Sequence, residues 1–137
     1  MRIYYLDEPL SNGDLQFIKE FLEVREGKNA LELIEQIRIP TLLKTPDLNG
    51  KYKDDIRDLI ELSKKILIKS NLLKDYGKQI VWVIPKDNFW SGIFQMAISE
   101  ITGYHPYVVQ RWYLEDDKWV RRNIRLIDSH GIMGYKD

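Results

Sequence analysis

The stretch "QIVWVIPKDNFWSGIFQMAISEIT", residues 79–102, sets two unlike patterns end to end. From Gln79 to Pro85 there is no polar alternation. A strand without alternation is apolar on both faces, the mark of a parallel sheet covered by helices on both sides. From Asn88 onward the apolar spacing becomes that of an amphipathic helix, and Gly103 stands where a left-handed C-terminal cap would end it. Four polar residues, Lys86, Asp87, Asn88 and Ser91, fill the junction with Trp90 among them.

Outward from this unit, strands and helices alternate. "RIYYLD" (2–7) is rich in strand formers and is stopped by Glu8-Pro9. "SNGDLQFIKEFLEV" then puts Leu15, Ile18, Phe21 and Leu22 on one helical face, with Ser11, Asn12 or Asp14 as cap. Between Asn29 and Leu43, "ALELIEQI" suits a helix and "QIRIPTLL" a strand. The reading favours a second strand near Ile37–Leu43, whose Pro40 suits a sheet edge. A turn-rich loop follows, and "DDIRDLIELSKKILIKSNLL" is a helix with acidic residues early and lysines late. After the central unit, "YVVQRWYL" and "KWVRRNIRLID" flank Glu115-Asp116-Asp117 as a β-hairpin. Here Trp112 and Trp119 are expected to pair across the strands. The tail "DSHGIMGYKD" reads as mobile. The expectation is one domain over residues 1–137, an α/β three-layer fold whose mostly parallel sheet ends in a C-terminal β-hairpin.

Composition narrows the function. Lys plus Arg and Asp plus Glu are 21 each, for a formal net charge of zero. Proteins that track along DNA or RNA are usually basic, so extended nucleic-acid binding is not expected, whereas one local anion pocket is compatible with neutrality. Absence of cysteine removes disulfides and thiolate chemistry. The N-terminal residues carry no signal-peptide pattern and no apolar run is long enough to span a bilayer, so a soluble cytoplasmic protein without membrane attachment is expected. Two isolated histidines, His105 and His130, do not suggest a metal centre. No dinucleotide, Walker-type, GxSxG or HExxH motif appears, and no cofactor is expected.

In open parallel sheets, ligands collect beyond the carboxyl ends of the strands. The loops expected there are Asp7–Asn12, Leu43–Gly50 and Pro85–Ser91. The helix opening near Asn88 offers free N–H groups to an anion, Lys86 a charge, and Trp90 a stacking face. Asp87 would repel a phosphate, and Asp87 or Asn88 is a good N-cap in its own right. Plain capping is the commoner meaning of such residues, at this junction and at Ser11-Asn12. The residues alone leave both readings open.

The order "EPLSNGDLQFIKEFL", a middle strand, "IPKDNFWSGIFQMAISEITGYHPYVVQRW" and a hairpin resembles the small CRISPR-associated accessory proteins of type III systems, the Csx group. The resemblance spans the chain loosely and residues 80–112 best. It implies a Rossmann-like, CARF-like fold, a homodimer or higher homo-oligomer, and a cyclic oligoadenylate ligand, with cyclic tetra-adenylate the expected ring. It also implies restraint of antiviral signalling, by sequestering the messenger or by acting as a metal-independent ring nuclease. Carried over by position, Ser11, Asn12, Lys86, Asp87, Asn88 and Ser91 would contact the ligand, with Arg111 a further candidate. Two other functions compete with it. One is a protein-interaction module using the aromatic and arginine-rich hairpin, and the other is a small-molecule enzyme on a flavodoxin-like scaffold.

Overall fold

The computed structural model describes residues 1–26, 35–39, 52–69, 80–86, 88–103, 105–128 and 133–135. In chain order the elements are β1 (Arg2–Tyr5), α1 (Asn12–Glu26), β2 (Glu35–Arg38), α2 (Tyr52–Lys69), β3 (Ile80–Val83), α3 (Asn88–Thr102), β4 (Tyr107–Glu115), β5 (Lys118–Ile127) and β6 (Met133–Tyr135). All strands join one six-stranded sheet in the order β2-β1-β3-β4-β5-β6. The first four run parallel, and β5 and β6 each pair antiparallel to the preceding strand. This α/β architecture is compatible with a Rossmann-like fold, because the parallel order β2-β1-β3-β4 reverses direction between β1 and β3. That reversal is the switch point of a doubly wound sheet.

The layers follow from strand alternation. All four residues of β3 are buried, as a strand covered on both faces requires. On one face Ile3, Val81, Val83, Tyr107, Val109, Ile124 and Leu126 pack with Ile18 and Leu22 of α1. Those two helical residues lie one turn apart, and each buried aliphatic side chain contributes about 1.5–3 kcal/mol. On the other face Tyr4, Ile80 and Trp82 pack with Ile60 and Leu67 of α2 and with Trp90, Ile93, Phe94, Ala97 and Ile98 of α3. Ser11 caps α1, its Oγ accepting the Asp14 N–H at 3.2 Å. Gly103 closes α3 at φ 80°, its N–H reaching the Ser99 carbonyl at 2.8 Å.

Three expectations change. The second strand starts earlier than Ile37, because its ladder with β1 begins at Arg2↔Glu35, where the two side chains also pair as ions. Ile39 extends that ladder by one bond, and the expected continuation through Leu43 lies outside the described residues, as does the Leu43–Gly50 loop. Within the tail, Met133–Tyr135 adds a short strand to β5. The two hairpin tryptophans are not partners, because Trp112 faces Arg121 and Leu114 faces Trp119. A register shift between Gln110 and Trp112 sets that pairing.

The chain passes from β4 to β5 through Asp116 and Asp117, both left-handed at φ 48° and 62°. A two-residue turn with both central φ values positive matches the right-handed twist of its strands. β3 pairs with β4 only over Tyr107–Val109, so the remainder of β4, with its β5 partner, extends past the carboxyl end of β3 as a two-stranded arm.

Candidate functional site at the carboxyl edge of the sheet

The switch point brings the loop after β1 and the loop after β3 to the same edge. The first of these is held from three strands. Gln36 on β2 treats Leu10 as a peptide partner: its Oε1 accepts the Leu10 N–H at 2.7 Å and its Nε2 donates to the Leu10 carbonyl at 3.2 Å. Arg111 on β4 reaches across from the other side. Its Nη2 donates to Asp7 Oδ1 at 2.6 Å and to the Glu8 carbonyl, and its Nη1 donates to the Pro9 carbonyl at 3.2 Å. Arg121 on β5 pairs with the Glu8 carboxylate. Gln36 is not singled out by sequence, since it sits in no recognisable motif. Arg121, by contrast, belongs to the arginine-rich strand of the hairpin, whose pattern reads as a solvated face or, functionally, as a polar subunit interface or a ring of positive charge.

Arg111 is fully buried, whereas the Asp7 side chain is 32% exposed. A guanidinium does not lose its proton, so a buried one needs a carboxylate and several acceptors. Asp7 and two loop carbonyls supply them. Arg111 therefore positions the loop from beneath, and its contacts differ from the ligand contact expected of it. Its Nε has no hydrogen-bond partner among the described residues.

The other expected residues separate. Ser11 is committed to capping α1, with Asn12 exposed at the first position of the helix. Lys86 is exposed just after β3, makes no ion pair among the described residues, and holds its Nζ 5.3 Å from the centroid of the Trp112 ring. Asp87 lies outside the described residues, and Asn88 begins α3. Ser91 is half-buried, and its carbonyl accepts from Trp82 Nε1 at 3.2 Å. Trp90 is a correction. It is only 4% exposed and stacks toward Phe94 at 6.0 Å, because helical phase places residues 90, 94, 97 and 98 on the core side. A buried ring cannot receive a base.

A different tryptophan, half-buried, lies among the cations of this edge. Trp112, at the root of the arm, has Lys86 Nζ within 5.3 Å and Arg121 Cζ within 5.6 Å of its ring centroid. Cations near an indole face are attracted by the ring quadrupole and keep their full charge. The carboxyl edge thus combines Lys86, Arg121 and Trp112 with the clamped loop Asp7–Leu10.

A cleft of about 350 Å³ lies elsewhere, along the outer side of α3, lined by Gly92, Gln95, Met96, Ser99, Glu100 and His105. His105 precedes β4 at the amino edge of the sheet. Ser99 Oγ donates to the Gln95 carbonyl at 2.9 Å and lies 2.9 Å from His105 Nδ1. Back-bonding to the i−4 carbonyl is an ordinary use of a helical serine hydroxyl, and which of Ser99 and His105 donates to the other depends on the imidazole tautomer. Glu100 at the rim receives Arg57 at 2.7 Å and Lys64 at 2.6 Å, which hold its carboxyl down at about 2. Surface ion pairs thus mark one rim of this cleft and the Ser99–His105 contact another.

Among the described residues no group of three or more His, Asp or Glu is placed to hold a metal ion, and no helix is long and apolar enough to cross a membrane. Comparison with family models, curated proteins and solved structures finds no match to this chain.

Proposed function

We propose that this protein binds a cyclic oligoadenylate, cyclic tetra-adenylate, at the carboxyl edge of a CARF-like sheet, and restrains type III CRISPR signalling in the cytoplasm by sequestering it. The observation that carries the reading is the meeting of the β1–α1 and β3–α3 loops at the switch point, with the Lys86 charge beside the start of α3. A helix N-terminus and an adjacent cation favour phosphate there. A ring of four like nucleotides has two-fold symmetry, and a homodimer would present each loop twice. Ring opening needs a base or acid at the 2′-hydroxyl and the leaving oxygen. Lys86 and Arg121 stabilise charge but neither is such a base, so binding is the primary activity and needs no divalent ion.

Incubation with labelled cyclic tri-, tetra- and hexa-adenylate, followed by separation of bound from cleaved species, tests this. Retention of the tetra-adenylate ring uncleaved is the expected result; no retention of any ring removes the proposal. One observation favours a second reading, a protein-interaction module: Leu114 is 60% exposed on the arm. In that case Leu114→Asp abolishes capture of a protein partner and leaves nucleotide binding nil throughout.

A further inference from the structure

The carboxyl edge carries a carboxylate where an anion site should carry none. Glu8 pairs with Arg121, and Arg121 is one of the two cations gathered at Trp112. The two members of that ion pair are 51% and 39% exposed, so water and ligands reach both. Lys86 makes no such pair among the described residues and is held only against the ring. Trp112 gathers both cations without neutralising either, whereas a carboxylate in its place would cancel one. The indole Nε1 is itself buried and without a hydrogen-bond partner among the described residues.

We infer that Lys86, Trp112 and Arg121 form a phosphate-binding site in which the Glu8 carboxylate is a built-in competitor, displaced from Arg121 when a phosphate or phosphodiester arrives. The inference rests on the reading of this edge as an anion site, and not on the ligand being a cyclic oligoadenylate. Two features of the fold make the exchange local. Arg111 anchors the loop through Asp7 and the carbonyls of Glu8 and Pro9, so the Glu8 backbone stays fixed while its side chain leaves. Arg121 projects from a hydrogen-bonded strand, opposite Trp112, so its guanidinium stays at the edge after Glu8 departs. Unlike Asp7, which neutralises a buried cation, Glu8 neutralises an exposed one, and only the latter can be replaced cheaply by a solute anion.

The test is a cycle of variants of the full chain, with inorganic pyrophosphate and cyclic tetra-adenylate as probes in isothermal titration. Glu8→Gln removes the competitor and is expected to tighten binding by about two- to fivefold, the equivalent of not having to break an exposed ion pair. Arg121→Ala is expected to weaken it by roughly tenfold. Glu8→Gln placed on the Arg121→Ala background should change nothing, because the competed cation is gone. A general effect of net charge would persist on that background, and that result overturns the displacement model. Weaker binding by Glu8→Gln overturns it too, as does failure of both probes to bind wild type and Glu8→Gln alike. Pyrophosphate binding that follows this pattern while cyclic tetra-adenylate does not bind would sink the proposed function and leave the displaced-carboxylate site standing.

Discussion

Arg111 and Asp7 are bonded at 2.6 Å across the carboxyl end of β3, although they stand 104 residues apart in the chain. The pair makes the β1–α1 loop a part of the sheet's structure. Breaking it by Arg111→Ala leaves a carboxylate and two carbonyls facing a void, at an expected cost of about 3–5 kcal/mol in urea denaturation. Arg111→Lys should recover only part of this, because an ammonium cannot fork among Asp7, Glu8 and Pro9. Wild-type stability in both variants would show that the clamp is not formed.

Trp90 and Lys86 should respond in opposite ways. Trp90→Ala empties a core position and is expected to lower stability by about 3–5 kcal/mol. Lys86→Ala should leave the melting temperature unchanged and weaken retention of cyclic tetra-adenylate by roughly tenfold. Unchanged affinity in Lys86→Ala would reduce the junction after β3 to a helix start.

Acid should act through Glu100. Hydrogen bonds from Arg57, then from Lys64, hold its carboxyl at about 2, below the usual value of 4.5. A carboxylate with a depressed folded-state pKa stabilises fully above its unfolded pKa and loses that contribution as pH falls toward the folded one. Wild type should therefore exceed Glu100→Gln in stability at neutral pH, and the difference should shrink between about pH 4.5 and pH 2. Its size is small and falls with salt, since these side chains meet solvent. A pH-independent difference between the two proteins, followed by thermal melts, would mean the ion cluster is not the cause.

The arm's turn offers a gain. Asp116 and Asp117 both hold positive φ, a conformation glycine and asparagine adopt with less strain. Asp117→Gly is expected to stabilise by about 0.5–1 kcal/mol, read from the urea midpoint.

Much of the sheet was legible because local pattern and tertiary role coincide. The unbroken apolar run of β3 announced a strand buried on both sides, and the α3 stripe announced its helix. The same stripe held the answer on Trp90, since residues 90, 94, 97 and 98 share one helical phase, but its place in a polar junction suggested an exposed role. Arg111 was opaque for another reason. An arginine in a strand reads as solvent-facing until its acceptors are known, and here they come from Asp7, Glu8 and Pro9 at the far end of the chain. Trp112 and Arg121 became neighbours through a register shift that no alternation rule forecasts. The competing carboxylate of Glu8 could not be seen before that pairing was known.

The clamp on the β1–α1 loop also orders events during folding. Its partners lie 26 residues away at Gln36, 104 at Arg111 and 113 at Arg121. Contacts of such separation close late, because the loop entropy must be offset by structure already formed. Helices and the β1–β2 ladder can assemble while the loop still swings from Gln36 alone. Only when β4 and β5 have joined the sheet does the second hold engage. A nascent chain that has not yet placed β4 and β5 holds Lys86 but neither Trp112 nor Arg121, so the gathered cations are the last part of this edge to form.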